Sequence, residues 1–529
     1  MTTTTLTSQE RLSSVIERAL PFLALAVYAI VFFGNIDNSL SARPYGSREA
    51  QTAISVLWLD LARPWAYETP IIGAPWQMPM EFPVFHMFVR VLYDLTGNME
   101  ASGFLVSVAF FFISLFFLGK ILRLLGANAR TVTIFHTLSL FSPLYLYWTN
   151  TFMIETVSIA FAAIFAWGLL RLVLERDQGM ATLVLLAVTT LLSGCLGILA
   201  KATTFLPVLL ILGLFCLYLT TRALWTWRNG GSATFFRLML VGAMTLVILA
   251  AAMMWVGYAD AVKAASDYAF FLTSTSLKGW NWGSLELRFR SDFYETVFLR
   301  MIPQILGYAA PVTLIAWIAV MIRKDMPGTL KWLSGALVLA FAFGPLLFAN
   351  LHIRHTYYQT ETGLFLIAAM AVALAQIDKA ALRATVIVVS CLGSLAYFIG
   401  GPSYPAWRSY GKVIFQPVES ALSNAGDWLR NNTDPDDKIL VFGISYNAEL
   451  HYYARRRGVA LPGAVTRRPE TMAKALDIAR NDYAWVVDCS VDKSPEGPLR
   501  ETIDTVLAQT TEVTSFGRCD IYKIPENNS

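Results

Sequence analysis

YGSREAQTAISVLWLDLARPWAYETPIIGAPWQMPMEFP, residues 45–83, lies between the first and second hydrophobic segments of the chain. It opens with an acid beside a base, Arg48-Glu49. A helix-like run with aromatic residues follows, and the stretch ends on a proline-framed acid, Met80-Glu81-Phe82-Pro83. A plain connector between membrane helices needs only a few polar residues. One this long, with charges and tryptophans held close to a bilayer, points to chemistry at the membrane surface.

The rest of the chain supplies the bilayer. Of 529 residues, 56% are hydrophobic and 15% are charged, against roughly 25% charged in soluble domains. Apolar runs of about 20 residues recur. In lipid the backbone must satisfy its own polar groups, so those runs are helices. The expected fold is a polytopic α-helical membrane protein with about eleven spans. They fall near 19–34, 101–120, 131–148, 152–170, 181–200, 204–221, 238–257, 303–322, 332–350, 362–377 and 384–400. Residues 84–96 are weakly apolar and read either as loop or as a short helix. Residues 1–18 form a polar tail, and the first apolar run reads as a span rather than a removed signal peptide. Residues 19–400 form the transmembrane domain, with long loops at 35–100 and 258–300.

The basic residues sit mostly in short loops. Lys120, Arg123 and Arg130 share one side with Arg171, Arg176, Arg222, Arg228, Arg237, Arg323, Lys324, Lys331, Lys379 and Arg383. That bias places the N-terminus in the cytoplasm. An odd number of spans then places residues 401–529 outside, together with the first loop. A net charge of +4 distributed this way reports topology and gives no reason to expect nucleic acid as a partner. The second long loop contains KGWNWGS, a turn with paired indoles (Trp280 and Trp282) suited to headgroups or to stacking on a sugar ring.

From about Gly401 the chain becomes polar, and strands alternate with helices. Helices are expected over Val418–Leu429, Asn447–Arg456, Pro469–Arg480 and Leu499–Leu507. Strands are expected over Lys438–Gly443, Tyr483–Asp488 and Arg518–Ile524. This is a small α/β domain, 401–529. The five cysteines show no metal-ligand spacing. Cys489 ends one strand and Cys519 begins another; they pair if those strands are neighbours in an oxidising compartment, and otherwise remain free thiols.

In order along the chain come REA in the first loop, EFPVF, SPLYLYWTNTFMIE, LAKATTF opening a span, and HIRHTYYQ in the last outside loop. This ordered set resembles the GT-C class of integral-membrane glycosyltransferases, in the bacterial branch related to protein O-mannosyltransferases and aminoarabinose transferases. The resemblance implies a polyprenyl-phosphate-linked sugar donor, inverting transfer, and a catalytic acid in the first outside loop, here Glu49. It implies a plasma (inner) membrane enzyme of the cell envelope. Acceptor candidates include lipid A or lipopolysaccharide core, another polyprenyl-linked glycan, and protein. Several relatives carry adjacent acids where this chain has Glu49 between Arg48 and Ala50. One carboxylate makes a poor hard-cation site, so no metal ligand is assigned and a divalent cation stays open.

Such a transfer needs a base for the acceptor hydroxyl and donors for the departing phosphate. Glu49 reads as the base, or as an ordinary acid in a helix's first turn. Arg48 (or Arg43), Lys201, His352, Arg354, His355 and Tyr358 read as donor-phosphate ligands, or as a cationic and aromatic interface belt. Glu81, Glu155, Trp280 and Trp282 read as lining the acceptor or sugar pocket. Charges deep in spans together with internal repeats would instead indicate a transporter or flippase of a lipid-linked saccharide. The charges here gather at span ends.

Overall fold

The computed structural model describes residues 8–175, 179–226, 231–403, 408–461, 463–467, 470, 472, 473, 476, 477, 483–491 and 498–525. Among the described residues, ten α-helices precede the second long loop. They are α1 (Ser8–Asn35), α2 (Gly46–Leu57), α3 (Val84–Thr96), α4 (Met99–Leu124) and α5 (Ala129–Phe141), followed by α6 (Pro143–Trp148), α7 (Glu155–Leu174), α8 (Met180–Ala200), α9 (Ala202–Trp225) and α10 (Gly231–Ala264). The ambiguous 84–96 stretch is thus helical, as α3.

Among the described residues, nine helices are long and apolar enough to cross a membrane: Leu12–Asn35, Met99–Leu124, Glu155–Leu174, Met180–Ala200, Ala202–Trp225, Ser232–Ala264, Ser291–Met321, Gly328–Leu347 and Ala380–Gly400. The other two expected spans are helical but shorter. Pro143 drives Ser142 to extended backbone (φ −60, ψ 127), which divides 131–148 into α5 and α6. The 362–377 segment is the helix Gln359–Leu374, 16 residues long and buried along almost its whole length. The second long loop is shorter than expected, because α10 runs to Ala264 and helix resumes at Ser291. KGWNWGS forms a short helix, Lys278–Trp282, that stops at Gly283 in the left-handed region (φ +69).

The chain divides into two compact units. One comprises residues 1–37, 104–253 and 278–416; the other comprises 38–103, 254–277 and 417–529. In the first, α7 packs on α8, and α8 on α9, through small residues. A Cβ on Gly168 would lie 2.2 Å from Thr190 Oγ1, and one on Gly197 would lie 2.5 Å from the Phe205 ring. Such residues let membrane helices approach closely enough for dispersion contacts to hold them. The core of this bundle includes Phe165, Leu169, Phe205 and Ile248.

The second unit is built on a five-stranded sheet: β1 (Ile439–Phe442), β2 (Gly458–Ala460), β3 (Trp485–Asp488), β4 (Thr511–Phe516) and β5 (Cys519–Lys523). Their order is β2-β1-β3-β5-β4. β1 runs parallel to β2 and β3, whereas β5 runs antiparallel to β3 and β4. β1 and β3 are buried at every position, as expected for strands covered on both faces. Of the expected helices, Ala421–Asn432, Glu449–Ala454 and Pro498–Leu507 form; the one placed at 469–480 lies largely outside the described residues. β2 and β4 were not expected. Because β3 and β5 are neighbours, Cys489 and Cys519 form a disulfide.

The first loop belongs to this unit. Gly458 N–H donates to Pro70 O (3.1 Å), Ala460 N–H to Ile71 O (2.8 Å) and Gly73 N–H to Gly458 O (3.0 Å). Residues 70–73 thereby satisfy the outer edge of β2, which would otherwise present unpaired backbone groups.

Candidate active site

Glu49 lies in the first turn of α2 and is fully buried. The helix entry is tightly determined: Tyr45 adopts φ +60, and a Cβ on Gly46 would lie 2.6 Å from Leu40 O. Arg43 is a partner of Glu49: its Nε stands 3.1 Å from Glu49 Oε1, with both side chains buried. Arg48 turns elsewhere. Its Nη2 reaches both Glu81 oxygens (2.8 and 3.0 Å), and its Nη1 donates to Gln51 Oε1 (2.8 Å).

The segment bearing Glu81 is held on several sides. Met80 N–H donates to Tyr67 Oη (2.9 Å), and Tyr67 Oη donates to Glu81 O (3.0 Å). Trp255 Nε1 donates to Met80 O (3.2 Å), and the Phe82 and Trp255 rings meet edge to face at 5.1 Å. Burial pushes the Tyr67 phenol upward, and the Glu81 charge acts in the same direction. Burial pushes His86 down to about 4 against the opposing pull of Glu81, so this ring is neutral at pH 7. Lys263, paired with Asp260 at 3.3 Å, is buried within electrostatic reach of Glu81.

The other unit holds a second cluster. Glu155 opens α7 and Lys201 stands between α8 and α9. Lys201 Nζ lies 2.6 Å from Glu155 Oε1, with only 2% and 3% of the two side chains exposed. The ammonium also faces the rings of Tyr358 (4.9 Å) and Tyr357 (5.2 Å). His355 stacks on Tyr357 at 5.2 Å and tilts against Tyr358 at 6.0 Å; His352 is 6.1 Å from Tyr358. Trp280 approaches His355 at 5.9 Å, and Trp282 contacts Phe348 at 4.9 Å. Arg300 donates to the carbonyls of Ile353 (3.0 Å) and His352, which fixes the end of that segment. Burial, with Arg300 acting the same way, pushes His352 down to about 3, so its ring is neutral at pH 7. Arg354 is exposed.

Expected site residues therefore fall into two sets. Glu49, Arg48 and Glu81 lie in one unit, with Arg48 bound to Glu81. Glu155, Lys201, Tyr358, His355, His352 and Trp280 form one chain of contacts in the other. Sequence reading missed Arg43 as the partner of Glu49, Lys263 beside Glu81, and Arg300. It also missed Glu361, an acid buried in the helix Gln359–Leu374. Its signal was plain: an ionisable residue at the mouth of an apolar run. Among the described residues, no three His, Cys, Asp or Glu side chains gather in a way that could hold a metal ion.

No protein-family model matches the chain, and no curated protein sequence matches it. Its fold is that of the GT-C class of membrane glycosyltransferases. ArnT from Cupriavidus metallidurans bound to undecaprenyl phosphate is 15% identical, with a TM-score of 0.62 over 96% of this chain and 98% of that one. The apo state of the same protein gives 14% identity and 0.58, over 95% and 97%. A mutant of the mycobacterial arabinofuranosyltransferase AftD gives 14% and 0.50, over 96% of this chain but 42% of that one. At these identities the likeness is one of fold.

Proposed function

We propose that this multi-pass membrane protein is an inverting glycosyltransferase that moves a sugar from a polyprenyl-phosphate donor to an acceptor hydroxyl. The carrying observation is the end-to-end fold likeness to a transferase structure that holds undecaprenyl phosphate. In this reading Glu49 takes the acceptor's proton. The acceptor oxygen bonds to the anomeric carbon, the bond from that carbon to the phosphate oxygen breaks, and polyprenyl phosphate departs. Lys201, Arg354 and Arg48 offer positive charge to the departing phosphate. His352, neutral in its site, offers a hydrogen bond, as do His355 and Tyr358. Glu81, Glu155, Trp280 and Trp282 are the residues proposed to contact sugar or acceptor. The Cys489–Cys519 disulfide favours an extracytoplasmic C-terminal region, since disulfides persist in oxidising compartments. The arrangement of basic loops gives the same orientation, and the inner membrane of a cell envelope is the proposed location.

The test uses purified protein in detergent with a panel of polyprenyl-phosphate sugars and candidate glycan, lipid and peptide acceptors. Release of polyprenyl phosphate is measured with and without EDTA. Wild type is expected to release it and Glu49→Gln is not; wild-type turnover in Glu49→Gln overturns the assignment of the base. Absence of release with every pair, alongside flipping of a lipid-linked saccharide in liposomes, overturns the transferase reading in favour of a flippase.

A further inference from the structure

The segment Leu40–Tyr45, which carries Arg43 and leads into the helix bearing Glu49, makes a set of contacts that no active-site role requires. Two of its non-glycine residues, Ala42 (φ +49) and Tyr45 (φ +60), sit in the left-handed region. Such conformations persist only where the surroundings over-determine them. Here the surroundings come from the C-terminal region. Ser41 Oγ donates to Glu449 Oε1 (3.1 Å) and Ser420 Oγ donates to the same oxygen. Ala42 N–H also bonds the Glu449 carboxylate. Ser420 N–H donates to Ser41 Oγ (2.8 Å), and Leu40 N–H donates to Tyr453 Oη (2.9 Å). Glu449 is itself 6% exposed. It opens the helix Glu449–Ala454, which lies between β1 and β2 in the chain, and Ser420 caps the helix Ala421–Asn432.

We infer that Glu449 is a positioning residue for the proposed base: it fixes Ser41 and Ala42, and through them the Arg43 side chain that holds Glu49. Three donors converge on one buried carboxylate. These three hydrogen bonds tie Ser41, Ala42 and Ser420 to one carboxyl group, which sets the path of the backbone. One residue beyond Ala42, Arg43 reaches Glu49 at 3.1 Å. A C-terminal region with no residue in the proposed chemistry thus acquires a task, which is to template the catalytic segment of the first loop. This inference rests on the assignment of Glu49, and its first readout is independent of turnover.

The experiment compares full-length wild type, Glu449→Ala, Glu449→Gln and Ser41→Ala in detergent. Amide hydrogen exchange over residues 38–50 is read against peptides covering β1, β3 and β5. Glu449→Ala is expected to accelerate exchange at least tenfold over 38–50 while the strands exchange as in wild type. Glu449→Gln, which keeps one carbonyl acceptor, and Ser41→Ala are expected to show a smaller effect of the same pattern. In the polyprenyl-phosphate release assay, Glu449→Ala is expected to lower kcat about tenfold or more with donor KM within twofold, and to shift the acidic limb of the pH–rate profile. Glu449→Gln should restore most of that loss. Unchanged exchange over 38–50, or acceleration spread equally through the strands, overturns the inference, as does a changed KM at constant kcat. If wild type releases nothing, the functional reading fails while the exchange result still decides the positioning.

Discussion

Replacing Arg43 with Met tests the site most directly. The Arg43–Glu49 pair is separated by 3.1 Å, and both side chains are almost wholly removed from solvent. Exposed pairs contribute little, but deleting one member of a buried pair leaves an uncompensated charge at a cost of about 3–5 kcal/mol. The Met side chain retains most of the aliphatic volume, so the change is chiefly electrostatic. Glu49 can escape the penalty by taking up a proton, and a protonated Glu49 is no base. At 1.36 kcal/mol per pH unit the penalty equals roughly two to four units. Arg43→Met is therefore expected to lose turnover at neutral pH and to regain it as pH rises. Its stability loss should be largest at high pH, where Glu49 must remain charged. Arg43→Met combined with Glu49→Gln should be more stable than Arg43→Met alone, because no charge is left buried. The assays are the pH–rate profile for polyprenyl-phosphate release and denaturant unfolding at several pH values. A single mutant with wild-type stability and an unshifted profile refutes the reasoning.

Three further outcomes follow from the same geometry. Lys201→Met should destabilise by about 3–5 kcal/mol, with most of it recovered by adding Glu155→Gln; strictly additive unfolding energies would show that the pair is not coupled. Replacing both Cys489 and Cys519 with Ser should cost about 3–4 kcal/mol, given a sequence separation of 30 and the entropy of closing that loop. Denatured, unreduced wild type should titrate three thiols, Cys195, Cys216 and Cys391; five would contradict the pairing. Burial pushes His451 down to about 3, so the folded ring stays neutral while the unfolded ring protonates below its ordinary value of 6.5. Stability should fall as pH drops through that window, by about 3 kcal/mol at pH 4, and His451→Leu should remove this part of the acid sensitivity.

The spans were legible because a bilayer demands long apolar runs and leaves few alternatives. The expected span 131–148 broke at Ser142-Pro143, where the missing N–H and the extended residue before it override hydropathy. β2 was not legible. Three residues after an arginine run carry no alternation, and Gly458–Ala460 becomes a strand only because β1 pairs it on one side and Pro70 and Ile71 bond it on the other. β4 is polar and largely exposed, so its strand character comes from pairing with β5. In the site, adjacency misled: Arg48 stands next to Glu49, yet neighbouring residues on a helix point about 100° apart. The cation that meets Glu49 comes from before the helix, and the one beside it crosses to Glu81.

If the protein binds a polyprenyl phosphate as proposed, the pairing of Lys201 with Glu155 changes how that phosphate is held. The sequence offers Lys201 and Arg354 as similar basic residues near span ends, but their surroundings make them unlike. Arg354 is exposed, so water and salt screen its attraction for phosphate, and mutating it should alter chiefly the salt dependence of donor capture. Lys201 is buried, where its charge is screened far less, but a carboxylate 2.6 Å away already neutralises much of it. A phosphate near Lys201 would therefore meet a pair rather than a bare cation. Its gain depends on whether Glu155 keeps that contact or gives it up. Glu155→Gln distinguishes these routes. Removing the competing charge should tighten binding of free undecaprenyl phosphate, measured by displacement of a fluorescent analogue, if Lys201 is a phosphate ligand. The same substitution should leave affinity unchanged if Lys201 serves only to neutralise Glu155 within the helix bundle.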